Sequence, residues 1–140
     1  MMGGMISVEW AQRLAAAGVT WRPLPGDRFT LREGELCGDV FTVADMVVEA
    51  RDLPLGVELA FNGTTEWALD SVRLADALWL PREDQLRDLL GAAFLGLLPT
   101  SEGFEVVIAL PGRPDDAHRA SRPADAYARA VLALVEAARA

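Results

Sequence analysis

Asn62, Glu66, Trp67, Asp70 and Trp79 form the one stretch of this sequence where polar and bulky side chains crowd around turn signals. Asn62-Gly63 turns a chain sharply, and Thr64 or Thr65 can cap a short helical turn running from Glu66 to Leu69. In such a turn Glu66 and Asp70 project from the same face, as two carboxylates sharing one proton or one cation must. Asp45 sits on a stretch otherwise apolar on its face and could join them. Asp45, Glu66 and Asp70 are therefore the candidate acids and bases, and Asn62, Glu66, Trp67, Asp70 and Trp79 the candidate ligand- or partner-binding set. The same residues also have a plainer use: carboxylates and amides in turns cap backbone N–H groups, and tryptophans beside them pack on the edge of a core.

Other chemistry has little to draw on. His118 is the single histidine and Cys37 the single cysteine, which leaves a two-histidine metal site or a closed zinc site short of ligands. A Ser-His-Asp triad would rest on His118 alone, and a Cys-His dyad has no local signature to support it. His118 falls in a segment rich in Pro, Arg and Asp, Gly112 to Pro123, that reads as an exposed loop or edge. An all-carboxylate site for Mg²⁺ or Ca²⁺ would have to use Asp115, Asp116 or the Glu66 and Asp70 pair, and no loop has the alternating acidic spacing around a glycine that calcium loops show. All thirteen basic side chains are arginine. Schiff-base chemistry, pyridoxal phosphate chemistry and phosphate binding through a P-loop lysine all need an amine that this chain does not supply. No metal and no cofactor is expected.

The chain of 140 residues is long enough to bury one ordinary core, and its balance of 51% hydrophobic to 24% charged residues is that of a folded protein. A net charge of −8, spread along the sequence, repels phosphates and anionic lipid, so nucleic acid and membranes are poor partners. The apolar run from Leu89 to Leu98 is broken by Gly91 and Gly96 and falls short of the roughly 20 residues a bilayer requires. Residues 1–5 read as a flexible N-terminus without the pattern of a secretory signal, and the lone cysteine suits a reducing compartment, so the expected location is the cytoplasm.

The elements that must position these residues follow from spacing. Ser7 can cap a helix to Ala17 with Gly18 as its left-handed exit. Extended pieces at Val19 to Leu24 and Arg28 to Leu31 flank Pro25-Gly26-Asp27 and predict a hairpin. Val40 to Ala50, rich in β-branched residues, predicts the longest strand, covered on both faces and interior to its sheet. Val57 to Asn62 alternates as a half-buried strand. Val72 to Leu80 gives no assignment. Pro81 opens a helix with Leu86, Leu89, Leu90 and Phe94 as its buried stripe. Phe104 to Leu110 alternates again, a weaker strand follows near His118, and Pro123 opens a final helix through Tyr127, Ala130, Val131, Leu134 and Val135. The sum is a single α+β domain over residues 1–140: an antiparallel or mixed sheet of about five strands with about three helices mainly on one face.

The segments Phe61-Asn62-Gly63-Thr64-Thr65-Glu66-Trp67-Ala68-Leu69-Asp70-Ser71 and Leu78-Trp79-Leu80-Pro81-Arg82-Glu83-Asp84-Gln85-Leu86 resemble a family of small bacterial proteins, frequent in actinobacteria. The resemblance extends to Gly26-Asp27-Arg28-Phe29 and from Val40-Phe41 to Asp45-Met46. Some members carry the label pilus assembly protein, yet assembly ATPases of that name need a Gly-rich loop with lysine that is missing here. The resemblance implies kinship without an activity, and carries over no catalytic residue. By subtraction, the expected role is that of a non-catalytic accessory or regulatory protein binding a protein partner or forming a homodimer, its four tryptophans serving as anchors where exposed. The rival expectation is a small-molecule binder or hydrolase built on Asn62 to Asp70 with Asp45.

Overall fold

A computed structural model describes residues 5–33, 38–43, 47–53, 56–61 and 71–139. In chain order the elements are α1 (Val8–Ala16), β1 (Arg28–Leu31), β2 (Phe41–Thr42), β3 (Val47–Leu53), β4 (Gly56–Phe61), β5 (Ser71–Arg73) and β6 (Ala77–Trp79). There follow α2 (Glu83–Leu90), β7 (Phe94–Thr100), β8 (Gly103–Ile108), β9 (Asp116–Ala120) and α3 (Pro123–Arg139). The class is α+β, with every described strand pair antiparallel. Where one sheet of about five strands is expected from spacing, the described residues form three sheets of three, in the orders β2-β1-β6, β3-β4-β5 and β7-β8-β9. The chain divides into two compact units, one of Met1–Thr20 with Leu80–Ala140 and the other Trp21–Trp79.

In the first unit α3 packs against β8 and β9, and α1 and α2 pack against α3. The alternation of β8 sets the inner face: Val106 and Ile108 are fully buried beneath α3, whereas Glu105 and Val107 point the other way. Residues 124–128 of α3 are all buried, and alanine dominates there: Ala124, Ala126 and Ala128 are buried along with Asp125 and Tyr127, and Ala130 and Val131 follow beyond the exposed Arg129. Alanine lets neighbouring backbones approach closely while keeping the best helix propensity. Pro123 stands at the first helical position as expected.

The ends of α1 show which local signals held. Gly18 takes φ +95°, the left-handed exit expected from sequence, and two bonds close it: Val19 N–H donates to the Leu14 carbonyl and Gly18 N–H to that of Ala15. At the other end the Ser7 side chain makes no cap. Its backbone N–H instead donates to Asp125 Oδ1 at 2.8 Å, tying the start of α1 to the first turn of α3. At α2 the Arg82 N–H donates to Gln85 Oε1 at 2.9 Å, and Leu86 and Leu90 are buried. Leu89, expected in that buried stripe, is exposed, and Phe94, expected to end it, opens β7.

In the second unit the expected hairpin across Pro25-Gly26-Asp27 is absent as a strand pair. The turn forms, with Gly26 at φ +92°, but Gly26 N–H donates to the Val43 carbonyl and Val43 N–H to that of Asp27. Those bonds tie Val43 to the turn and end β2 at Thr42, so the stretch expected as one long strand over Val40 to Ala50 is divided. Its pieces are β2 and β3, and each lies at the edge of its own sheet rather than inside one. The unassigned stretch after Val72 holds β5, a short 3₁₀ turn at Leu74–Asp76 and β6. Elements of three residues are too short to show a period.

Candidate functional site

The sequence-derived candidates lie at the borders of described structure. Asp45, Asn62, Glu66, Trp67 and Asp70 fall outside the described residues, as do Cys37, Thr64 and Thr65. Their flanks are described. Residues 62–70 link β4 to β5, which pair through Glu58 with Arg73, Leu59 with Val72 and Ala60 with Ser71. Val47, two residues after Asp45 in sequence, is the register partner of Phe61, the residue before Asn62.

Trp79 is described fully. It sits in β6 opposite Phe29 of β1 and stacks on Trp21, with centroids 6.4 Å apart and planes 6° from parallel. Trp21 tilts on Phe29 at 5.5 Å, and Phe29 stacks on Phe41 at 5.5 Å, so four aromatic rings form a continuous row over Val43 and Ala77. The two stacked indoles differ in their polar ends. Trp21 Nε1 donates to Asp27 Oδ2 at 2.9 Å, whereas the buried Trp79 Nε1 has no partner among the described residues.

Asp27, read from sequence only as a turn residue, is the most deeply buried carboxylate described, at 3% exposure. Besides the Trp21 indole it accepts the Leu24 N–H at 3.0 Å. A carboxylate held by two fixed donors is committed to structure, satisfying groups that would otherwise be buried without partners.

His118 is on β9, as the weaker strand signal suggested, but it is more sheltered than a loop residue. Its side chain is 16% exposed and its Nε2 lies 3.0 Å from Asp116 Oδ2, two residues back on the same face. Register sets it beside Val106 on one side of the sheet's inner face. A histidine oriented by a carboxylate is half of a proton-transfer device, and the sequence gives it Ser121 as the nearest hydroxyl along the chain, beyond the end of β9. Among the described residues no three His, Cys, Asp or Glu side chains gather as a metal site would require.

Charge elsewhere is used at the surface. Arg82, chiefly through its hydrogen bond at 3.1 Å, holds the Asp84 carboxyl below its usual range. Across β8 and β9, Arg119 Nε lies 2.6 Å from Glu105 Oε1, and that bond with its attraction raises the already high Arg119 value.

The described tryptophans do not supply exposed anchors. Trp21 is buried, Trp79 half-buried, and Trp10 half-buried between the guanidinium groups of Arg13 and Arg129, at 4.5 and 5.5 Å. The exposed apolar side chains of the first unit are leucines instead: Leu95 at 52% and Leu98 at 49%, with Leu89 on the preceding helix. Sequence alternation could not find them. The register of β7 on β8 slips between Phe94 and Gly96, so Leu95 is an extra residue, and an even–odd reading fails across it. Leu98 pairs with Glu105 and Gly96 with Val107, which places them on the outer face, away from α3. That face is therefore Leu98, Gly96, Val107 and Ala117, flanked by Leu95 and crossed by the Glu105–Arg119 pair.

No helix among the described residues is long and apolar enough to cross a membrane. No family model, curated protein or solved structure matches this chain.

Proposed function

We propose that this chain is a non-catalytic accessory or regulatory protein of the cytoplasm that acts by binding protein. The observation that carries the reading is the outer face of β7-β8-β9, where Leu95 and Leu98 stand half in solvent beside Gly96, Val107 and Ala117. Single exposed leucines are ordinary, but neighbours on one sheet face are what an interface buries. The lone cysteine suits a reducing compartment.

The test compares capture by the immobilised full chain with capture by a Leu95→Glu/Leu98→Glu double variant. A protein retained by the unmodified chain and lost with the variant is the expected outcome. Equal retention by both would remove the outer face from the argument.

A second reading is favoured by one backbone observation, the pairing of Val47 with Phe61, which brings together the strand ends that border Asp45 and Asn62. On that reading Asp45, Glu66 and Asp70 serve a small ligand or a hydrolytic step, with Trp67 and Trp79 as apolar walls. Glu66→Gln and Asp70→Asn variants then lose ligand binding, read by a small-molecule thermal-shift screen, while their unfolding midpoints stay unchanged. A drop in stability instead assigns those carboxylates to capping.

A further inference from the structure

We infer that the outer face of β7-β8-β9 is the seat of a second copy of this chain, the two faces packing about a two-fold axis. This rests on the protein-binding reading and names the partner. An isologous interface requires that each patch fit itself: what protrudes at one position must find a recess at the position the axis exchanges with it. The face has both parts. Leu98 protrudes, 49% exposed, and two residues away on the same strand Gly96 presents no side chain, with open space where a Cβ would stand. An axis passing between them seats each Leu98 over the other copy's Gly96, with Leu95 and Val107 closing around the pair.

Charge points to the same occupant. A two-fold brings every group near the axis close to its own copy, so a self-docking face must be uncharged or internally paired. The only charged side chains on the outer positions of the paired strands are Glu105 and Arg119, already joined at 2.6 Å. The unit that carries this face has eight Arg against ten Asp and Glu, whereas Trp21–Trp79 has five against eleven, so most of the net −8 lies outside it. A face shaped for a basic partner would instead draw on the acidic surplus.

The β7 edge of the sheet is a poorer contact. The two-residue turn at Ser101 and Glu102 makes Thr100 and Gly103 the first hydrogen-bonded pair, so Leu97 and Pro99 direct their backbone groups away from β8. Proline has no N–H to offer there, which blunts the edge against strand-to-strand addition. Face packing remains. Three strands about six residues long present a small footprint, so the dimer is weak, with a dissociation constant of order micromolar.

Sedimentation velocity of the full chain from ~1 to ~300 μM brackets that range. The expected result is a monomer–dimer equilibrium that Leu98→Glu and, separately, Gly96→Ile each weaken by about tenfold or more, with unchanged circular dichroism. Gly96→Ile is the sharper variant, since it adds apolar surface and can weaken only a contact that needs the recess. A chain that stays monomeric throughout overturns the second copy as occupant, and if the double glutamate variant still loses a captured protein, the broader protein-binding reading stands. A dimer indifferent to both substitutions overturns the placement.

Discussion

Gly103→Ala lowers the stability of the unit that contains β8 by about 3 kcal/mol, at the upper end of what overpacking costs. A Cβ built on Gly103 would lie 2.3 Å from the Ala120 carbonyl oxygen and 2.7 Å from Ser121 Cα. Both neighbours are backbone, so no side chain can swing aside; β9 itself must move. Its last register pair, Ala120 with Phe104, lies beside the clash, and the helix start at Pro123 follows three residues later. The residue also sits at φ +155°, a value side-chain-bearing residues avoid. Gly96→Ala is the control, having open space at the Cβ and no positive φ, and in dilute solution it changes stability by no more than about 0.5 kcal/mol. Urea unfolding of the two variants side by side decides the matter, and a Gly103→Ala protein within about 1 kcal/mol of the parent would mean that β9 is not held where it is described.

The strands of that unit also show where sequence reading succeeds. β8 was legible because a regular antiparallel strand with one face under a helix must alternate, and Phe104, Val106 and Ile108 do. α3 was legible from its proline start and apolar spacing. β7 was not. Its bulge at Leu95 cancels the alternation, and the preceding Leu89, Leu90 and Phe94 continue a helical spacing past the point where Gly91, at φ +54°, has already ended α2. The exposed leucines that now carry the functional argument were hidden by the same irregularity.

In the other unit the obstacle was competition for backbone groups. Val40 to Ala50 has strand composition throughout, but its own residues cannot reveal that Val43 will bond to Gly26 and Asp27, some seventeen residues earlier in sequence. Non-local partners override propensity wherever they offer a better set of bonds. The acid-aromatic stretch illustrates a related point for the candidate site. Its turn signals marked the link between two paired strands, β4 and β5, and its Trp79 proved to belong to an aromatic row. Residue types alone did not distinguish Trp79, whose Nε1 lacks a described partner, from Trp21, whose Nε1 is bonded.

That bonded indole leads to the second large effect. Asp27→Ala removes the acceptor of two donors at once, Trp21 Nε1 and the Leu24 N–H, at a site only 3% exposed. Hydrogen bonds to a charged acceptor contribute about 1.5 to 3 kcal/mol each, and donors left buried add a desolvation cost, so a loss of about 3 kcal/mol is expected even though the two are not additive. Asp27→Asn separates charge from acceptor capacity. Both donors meet the same oxygen, Oδ2, and an amide oxygen placed there accepts both, so the variant loses only the charge that strengthens the two bonds and should fall between alanine and the parent. The readout is local: in ¹⁵N spectra the Trp21 Nε1–H exchanges slowly in the parent, and its protection vanishes with alanine. Loss of Trp21 would also slacken the face on which Trp79 stacks, so the Trp79 resonance should shift with it. An Asp27→Ala protein in which the Trp21 indole stays protected would show that ring packing, with no help from the carboxylate, holds the turn against β1.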